Sequence, residues 1–197
     1  SYDHVYFLDN STITNISTSA FAYCRELLMV DLPATVREID MSAFAGCEKL
    51  TTVTLNDNIT TIGNSAFSGC SNLVLTALPA SLKTIGGSAF QSSGPGIQIT
   101  SLPDGIEIIP AWTFNGCSNV KISEFGGGSS KLREIGANSF NNATLTRCVS
   151  SINSYSLQNF NTTTFASVAF ESFGFFALNI CSLHIQHNLI HNGEKVT

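Results

Sequence analysis

The sequence predicts an α/β solenoid: a curved parallel sheet on one face of a stacked coil, with short helices or 3₁₀ turns on the other. Three observations lead there. Phe21, Phe44, Phe67 and Phe90 fall 23 residues apart, and Phe114 and Phe140 follow after 24 and 26. Ile16, Ile39, Ile62, Ile85, Ile109 and Ile135 keep the same steps, each five residues ahead of its phenylalanine. Within each unit the apolar pattern switches from helix-like to strand-like spacing. A fixed period of this length marks units that bury their apolar faces only by stacking on their neighbours. Such a stack offers a surface more readily than an enclosed cleft.

The second unit shows the logic of one coil. Ile39, Ala43, Phe44 and Cys47 stand at i, i+4, i+5 and i+8, one face of a helical wheel, so this half is expected as a short helix or 3₁₀ turn packing inward. Ser42 and its equivalents Ser19, Ser65 and Ser88 fall near its start, where a hydroxyl can cap free amides. Gly46, Gly69 and Gly116 precede the cysteine, where a left-handed residue stops a helix. Leu50, Val53 and Leu55 then end in strand alternation, with Val53 and Leu55 inward. Pro33, Pro79 and Pro103 follow the last leucine and end the strand, because proline cannot donate to a ladder. Strands returning once per coil must pair in parallel.

Composition narrows the function. Charged residues make up only 12% of the chain, and Ser, Thr and Asn fill the polar positions instead. A net charge of −5, with nine Lys and Arg scattered singly, argues against nucleic acid, since phosphate binding needs a basic surplus. Ser1–Asn10 has neither the basic start nor the apolar run of a signal peptide. Of the six cysteines, Cys24, Cys47, Cys70 and Cys117 share one repeat position, and Ser93 falls in or near that slot in the intervening coil. A slot that takes Cys or Ser wants a small side chain, so these are expected as reduced, buried thiols. No Cys-x-x-Cys is present to suggest zinc.

The strand half, Leu50-x-x-Val53-x-Leu55, looks like a leucine-rich repeat. With Ile-x-x-x-Ala-Phe-x-x-Cys between strands and a period of 23, the segments LPATVREIDMSAFAGCEKLTTVTL and LNDNITTIGNSAFSGCSNLVLTAL resemble the BspA-like leucine-rich-repeat family. That resemblance implies a parallel-sheet solenoid of the kind found in surface proteins of bacteria and protists, associated with adhesion and host-protein binding. It brings no catalytic residues and no cofactor.

The chain reads as one solenoid domain, 1–197. Residues 11–125 carry regular repeats, 126–148 a degenerate one opened by Gly126-Gly127-Gly128-Ser129-Ser130, and 149–197 an atypical C-terminal segment or cap. In that last part Phe160, Phe165 and Phe170 compete for the repeat position. Phe165–Leu183 is apolar enough to raise a membrane helix, but Glu171 and Asn179 are costly in lipid, and a buried terminal coil fits better.

Candidate function lies on the sheet face. If Val53 and Leu55 point inward, their neighbours form two outward columns: Met29, Thr52, Leu75, Ile99 and Ile122, beside Asp31, Thr54, Ala77, Ser101 and Glu124. With strands about 4.8 Å apart, this strip is about 19 Å long. An apolar column beside a polar one suits a protein partner, which the resemblance implies to be a host or extracellular-matrix protein; the bland alternative is neighbour packing within the sheet. His184, His187 and His191 have a spacing that can hold a metal, yet without a second shell they are read as an exposed tail. Asn-x-Ser/Thr triplets start at Asn10, Asn15, Asn58, Asn142 and Asn161 and permit glycosylation. No Gly-x-Ser-x-Gly, phosphate-binding loop or His-Glu-x-x-His occurs, so neither an enzyme nor a small-molecule substrate is expected. The expected role is a non-enzymatic binding module, at a cell surface or secreted. A structural spacer and an intracellular scaffold, the latter suited to reduced cysteines, are the alternatives.

Overall fold

The computed structural model describes residues 3–8, 10–122 and 131–142, with further strands at 144–145, 159–160 and 169–170. Each coil returns to the same place, and three parallel hydrogen-bond ladders run along the stack. The first sheet joins β1 (His4–Tyr6), β3 (Met29–Asp31) and β5 (Thr52–Val53), in the register His4↔Met29↔Thr52 and Val5↔Val30↔Val53. It continues through the Leu75↔Ile97 bridge and the Lys121 amide bound to the Ile99 carbonyl. The second sheet joins β2 (Asn15–Ile16), β4 (Glu38–Ile39), β6 (Thr61–Ile62) and β7 (Thr84–Ile85), and places Ile16, Ile39, Ile62 and Ile85 in one inward row. Beyond it β8 (Ile108–Ile109) and β9 (Glu134–Ile135) pair in parallel, and β11 (Asn159–Phe160) pairs with β9. β10 (Thr144–Leu145) pairs with β12 (Ala169–Phe170).

The third ladder replaces the expected helix. Among the described residues no helix forms; the Ser-Ala-Phe segment is a run of linked tight turns. In the second coil the amides of Ala43, Ala45 and Cys47 bond back to the carbonyls of Asp40, Ser42 and Phe44. The amides between them, of Ser42, Phe44 and Gly46, reach across to Asn64, Ala66 and Ser68 of the next coil at 2.8–2.9 Å. Left-handed backbone at Ser42 (φ 56) and Gly46 (φ 70) turns every second amide outward and stops the turns from winding into a helix. Ser19, Ser65 and Ser88 share this conformation, so the serines shape the turn and do not cap a helix.

The interlocked turns hold the core in columns. Phe44, Phe67, Phe90, Phe114 and Phe140 are fully buried, and each stacks on the next, beginning at Phe21. Ring centroids are 5.2–5.6 Å apart; the planes lie within 6° until the last pair opens to 21°. The spacing slightly exceeds the ~4.8 Å strand separation, as expected of parallel rings offset along the stack.

Close coil-to-coil approach also explains a column of glycines after the inward isoleucine. A Cβ at Gly86 would clash with the backbone of Gly63 and Asn64, the Asn64 Cα lying only 2.6 Å away. Backbone cannot swing aside as a side-chain tip can. Gly86→Ala is therefore expected to cost at least about 2 kcal/mol through overpacking, read as a lower midpoint in urea unfolding.

Candidate interaction face

In the first two full coils, Leu27 to Val30 and Leu50 to Val53 keep three-residue steps, and the alternation falls as expected. Val30 and Val53 are buried, Leu55 is half-buried, Asp31, Thr52 and Thr54 are exposed, and Met29 is partly so. From the third coil onward the phase differs. Leu73 and Leu75, Ile97 and Ile99, and Val120 and Ile122 stand two apart, and all six are buried. Leu75, Ile99 and Ile122 thus belong to the core and not to an outward column. The cause is plain in the pairs themselves: two apolar residues spaced by two both face inward on a strand. In the third coil, Thr76 occupies the place of Val53 and turns to water, while Leu75 takes the inward position.

Ala77 and Ser101 are exposed as expected, and Glu124 lies outside the described residues. The outward face missed by repeat counting consists of His4 and Tyr6, then Val74 and Thr76, Gln98 and Thr100, and Lys121. Tyr6 (71% exposed) and Val74 (55%) are its most exposed large apolar groups. The His4 and Tyr6 rings stack at 5.9 Å, and His4 Nδ1 lies 3.1 Å from Asp3 Oδ1. The signal for this face was the shift from L-x-x-V to L-x-L spacing.

The cysteine slot is more specific than smallness alone requires. The thiols of Cys47, Cys70 and Cys117 donate to the carbonyls of Phe21, Phe44 and Phe90 at 3.0–3.1 Å, and the Ser93 hydroxyl does the same to Phe67 at 2.5 Å. The slot needs a small donor that ties each coil to the one before it. Cys47, Cys70 and Cys117 are unpaired and buried, while Cys24, in the first coil, is unpaired and exposed. Burial pushes the Cys47 thiol up to about 11, with Cys24 nearby adding to the rise and a hydrogen bond opposing it. Burial likewise holds Cys70 and Cys117 at about 12.

Two outcomes follow from this geometry. Cys70→Ser keeps the donor and should leave stability nearly unchanged, whereas Cys70→Ala removes one of the two donors to the Phe44 carbonyl, which keeps the Cys47 amide, and should cost about 0.5–1.5 kcal/mol by denaturant titration. Below pH 9 the thiols are protonated in both the folded and the unfolded chain and contribute no pH dependence. Between pH 9.0 and about 12 the unfolded chain releases protons that the folded chain retains. Stability should then fall with rising pH by about 1.4 kcal/mol per unit for each buried thiol, and Ser variants should flatten that decline.

Among the described residues, no group of His, Cys, Asp and Glu is placed to hold a metal, and no helix is long and apolar enough to cross a membrane. His184, His187 and His191 lie outside the described residues, as does most of Phe165–Leu183. Asn10, Asn15, Asn58 and Asn142 are exposed.

The family model described as BspA type leucine rich repeat region matches six copies along the chain, within residues 5–121, 44–168 and 94–195. The chain belongs to the BspA-type leucine-rich repeats. Similar solved structures include a leucine-rich repeat protein of T. pallidum, 28% identical, with 68% of this chain and 72% of that one covered and a TM-score of 0.48. A leucine-rich repeat protein from Bacteroides ovatus is 23% identical, with 84% and 57% covered and a TM-score of 0.47. The pneumococcal vaccine antigen PcpA is 16% identical, with 85% and 40% covered and a TM-score of 0.46. The chain therefore spans 57% of the B. ovatus protein and 40% of PcpA. No curated protein matches it. In BspA-type terms, Ala-Phe-x-x-Cys here is a turn module, and its cysteine is a coil-to-coil tie.

Proposed function

We propose that this BspA-type chain is a non-enzymatic protein–protein interaction module, at a cell surface or secreted, that contacts a host or extracellular-matrix protein through the outward face of its first sheet. The observation carrying this reading is the set of Tyr6, Met29 and Val74, solvent-accessible apolar groups on the outward side of a parallel sheet, Tyr6 in register with Asp31 and Met29 with Thr52, among the exposed Thr54 and Thr76. Apolar anchors within a polar rim are what a protein partner buries. Met29, Asp31, Thr52, Thr54, Ala77 and Ser101 are common to the expected and the observed face, and binding is assigned to them. The surface placement rests on the family's association with surface proteins. The single-domain reading over 1–197 rests on repeat matches reaching residue 195 and on parallel pairing that continues to β12.

The test is adhesion of the purified chain to immobilised matrix proteins, with a Tyr6→Ser/Met29→Ser/Val74→Ser variant whose melt matches the parent. Loss of adhesion in the variant supports the proposal. Adhesion unchanged in the variant, or absent from the parent, contradicts it, and absence from the parent favours a spacer. The buried unpaired thiols favour an intracellular scaffold as the second reading, and locating the full-length protein in its cell decides between the compartments.

A further inference from the structure

The second sheet has a break. β6 and β7 pair in register, as do β8 and β9, but among the described residues no ladder joins β7 to β8. Elsewhere the residue after the inward isoleucine donates to the coil before: Gly63 to Ile39, Gly86 to Ile62, Gly136 to Ile109, each at 2.7–2.8 Å. In the fifth coil that residue is Pro110, which has no amide hydrogen to give Ile85. At this break lies a groove of about 460 Å³, with Lys83 and Thr84 on one wall and Glu107, Ile108 and Pro110 on the other, and Lys131 beside them.

Its chemistry is distinctive for this chain. Arg25, Lys49 and Arg133 each meet a carboxylate, Glu48, Glu26 and Glu107 respectively. Lys83 and Lys131 both line the groove, and among the described residues neither is in an ion pair. Backbone polar groups along the unzipped edge and the Thr84 hydroxyl add neutral hydrogen-bonding capacity. β7 and β8 keep Cα atoms within 8 Å of each other. A third strand between them would need about 9.6 Å, two strand spacings, so the break admits a small ligand and no inserted peptide strand.

We propose that this groove binds a single anionic sugar residue, its carboxylate or sulfate held by Lys83 and Lys131 and its hydroxyls by Thr84, Glu107 and the unzipped backbone. The Glu107 carboxylate selects against acidic peptides, whose side chains only accept hydrogen bonds, and in favour of hydroxyls, which donate. A chain of net charge −5 exerts no general pull on polyanions, so recognition is local. The site lies on the other sheet from the proposed partner-binding face and does not depend on it.

The experiment titrates ¹⁵N-labelled chain with glucuronic acid, glucose 6-sulfate, glucose and a hexaglutamate peptide in separate arms. Saturable shifts at the Thr84 and Ile108 amides with either anionic sugar, and none with glucose, are expected; the two anionic arms distinguish carboxylate from sulfate. Lys83→Gln/Lys131→Gln should raise Kd at least five-fold. Pro110→Gly should let the ladder close, as glycine does in the same slot of other coils, and likewise weaken binding. Equal response to glucose, tighter binding of hexaglutamate, shifts confined to other residues, or no response to any probe overturns the proposal. So does binding unchanged in both variants.

Discussion

Replacing Phe67 by alanine is expected to cost about 3–5 kcal/mol, because a fully buried ring leaves a cavity that stacked coils cannot collapse to fill. At this chain length that is a fall in Tm of roughly 6–20 °C. Phe67 touches a ring on each side, at 5.3 and 5.4 Å, so its removal weakens two coil interfaces at once. Phe21 provides the control. It begins the stack, meets Phe44 alone among the rings of the described residues, and is only partly buried. Phe21→Ala should therefore cost clearly less. Thermal or urea unfolding of the two variants measures the difference, and equal losses would contradict a stack whose coils depend on both neighbours.

The second large effect separates adjacent residues on one strand. Ile99 is fully buried and Gln98 is exposed. Ile99→Asp places an unpaired carboxylate in the core and should cost about 4 kcal/mol or more; Gln98→Asp should change stability by less than about 0.5 kcal/mol. The comparison decides the phase of the fourth coil by circular dichroism alone. Repeat counting would put Ile99 on the surface, and a tolerated aspartate there would restore that view.

The contrast shows what the residues reveal and what they conceal. The period, the phenylalanine column, the inward isoleucines, parallel pairing and the shared cysteine position were all legible, because each rests on a residue type recurring at one place. The turn ladder was not. Ile39, Ala43, Phe44 and Cys47 fit one side of a helix, yet the same spacing arises when a two-residue strand at Glu38–Ile39 runs into linked turns. Ser42 and Gly46, four apart, carried the distinguishing signal: both take left-handed φ, and a helix tolerates neither. The second sheet stayed hidden for the same reason, since Ile39 was counted as a helical position. On the candidate face, extending the column by repeat arithmetic failed where Leu73-x-Leu75 replaced Leu50-x-x-Val53. Local alternation, which follows burial directly, was the better guide. The Cys and Ser exchange was read as a matter of size, while the shared property is a donor aimed at the preceding coil's phenylalanine carbonyl.

The central claim, that successive turns of the chain lock together in register, is tested most directly by through-hydrogen-bond scalar couplings in a deuterated sample. A long-range amide-to-carbonyl spectrum should correlate the Phe44 nitrogen with the Ala66 carbonyl and the Phe67 nitrogen with the Ala89 carbonyl, pairs joined at 2.8 Å. Correlations from Phe44 and Phe67 to carbonyls three or four residues earlier would instead mean isolated helical turns, and would contradict the stack.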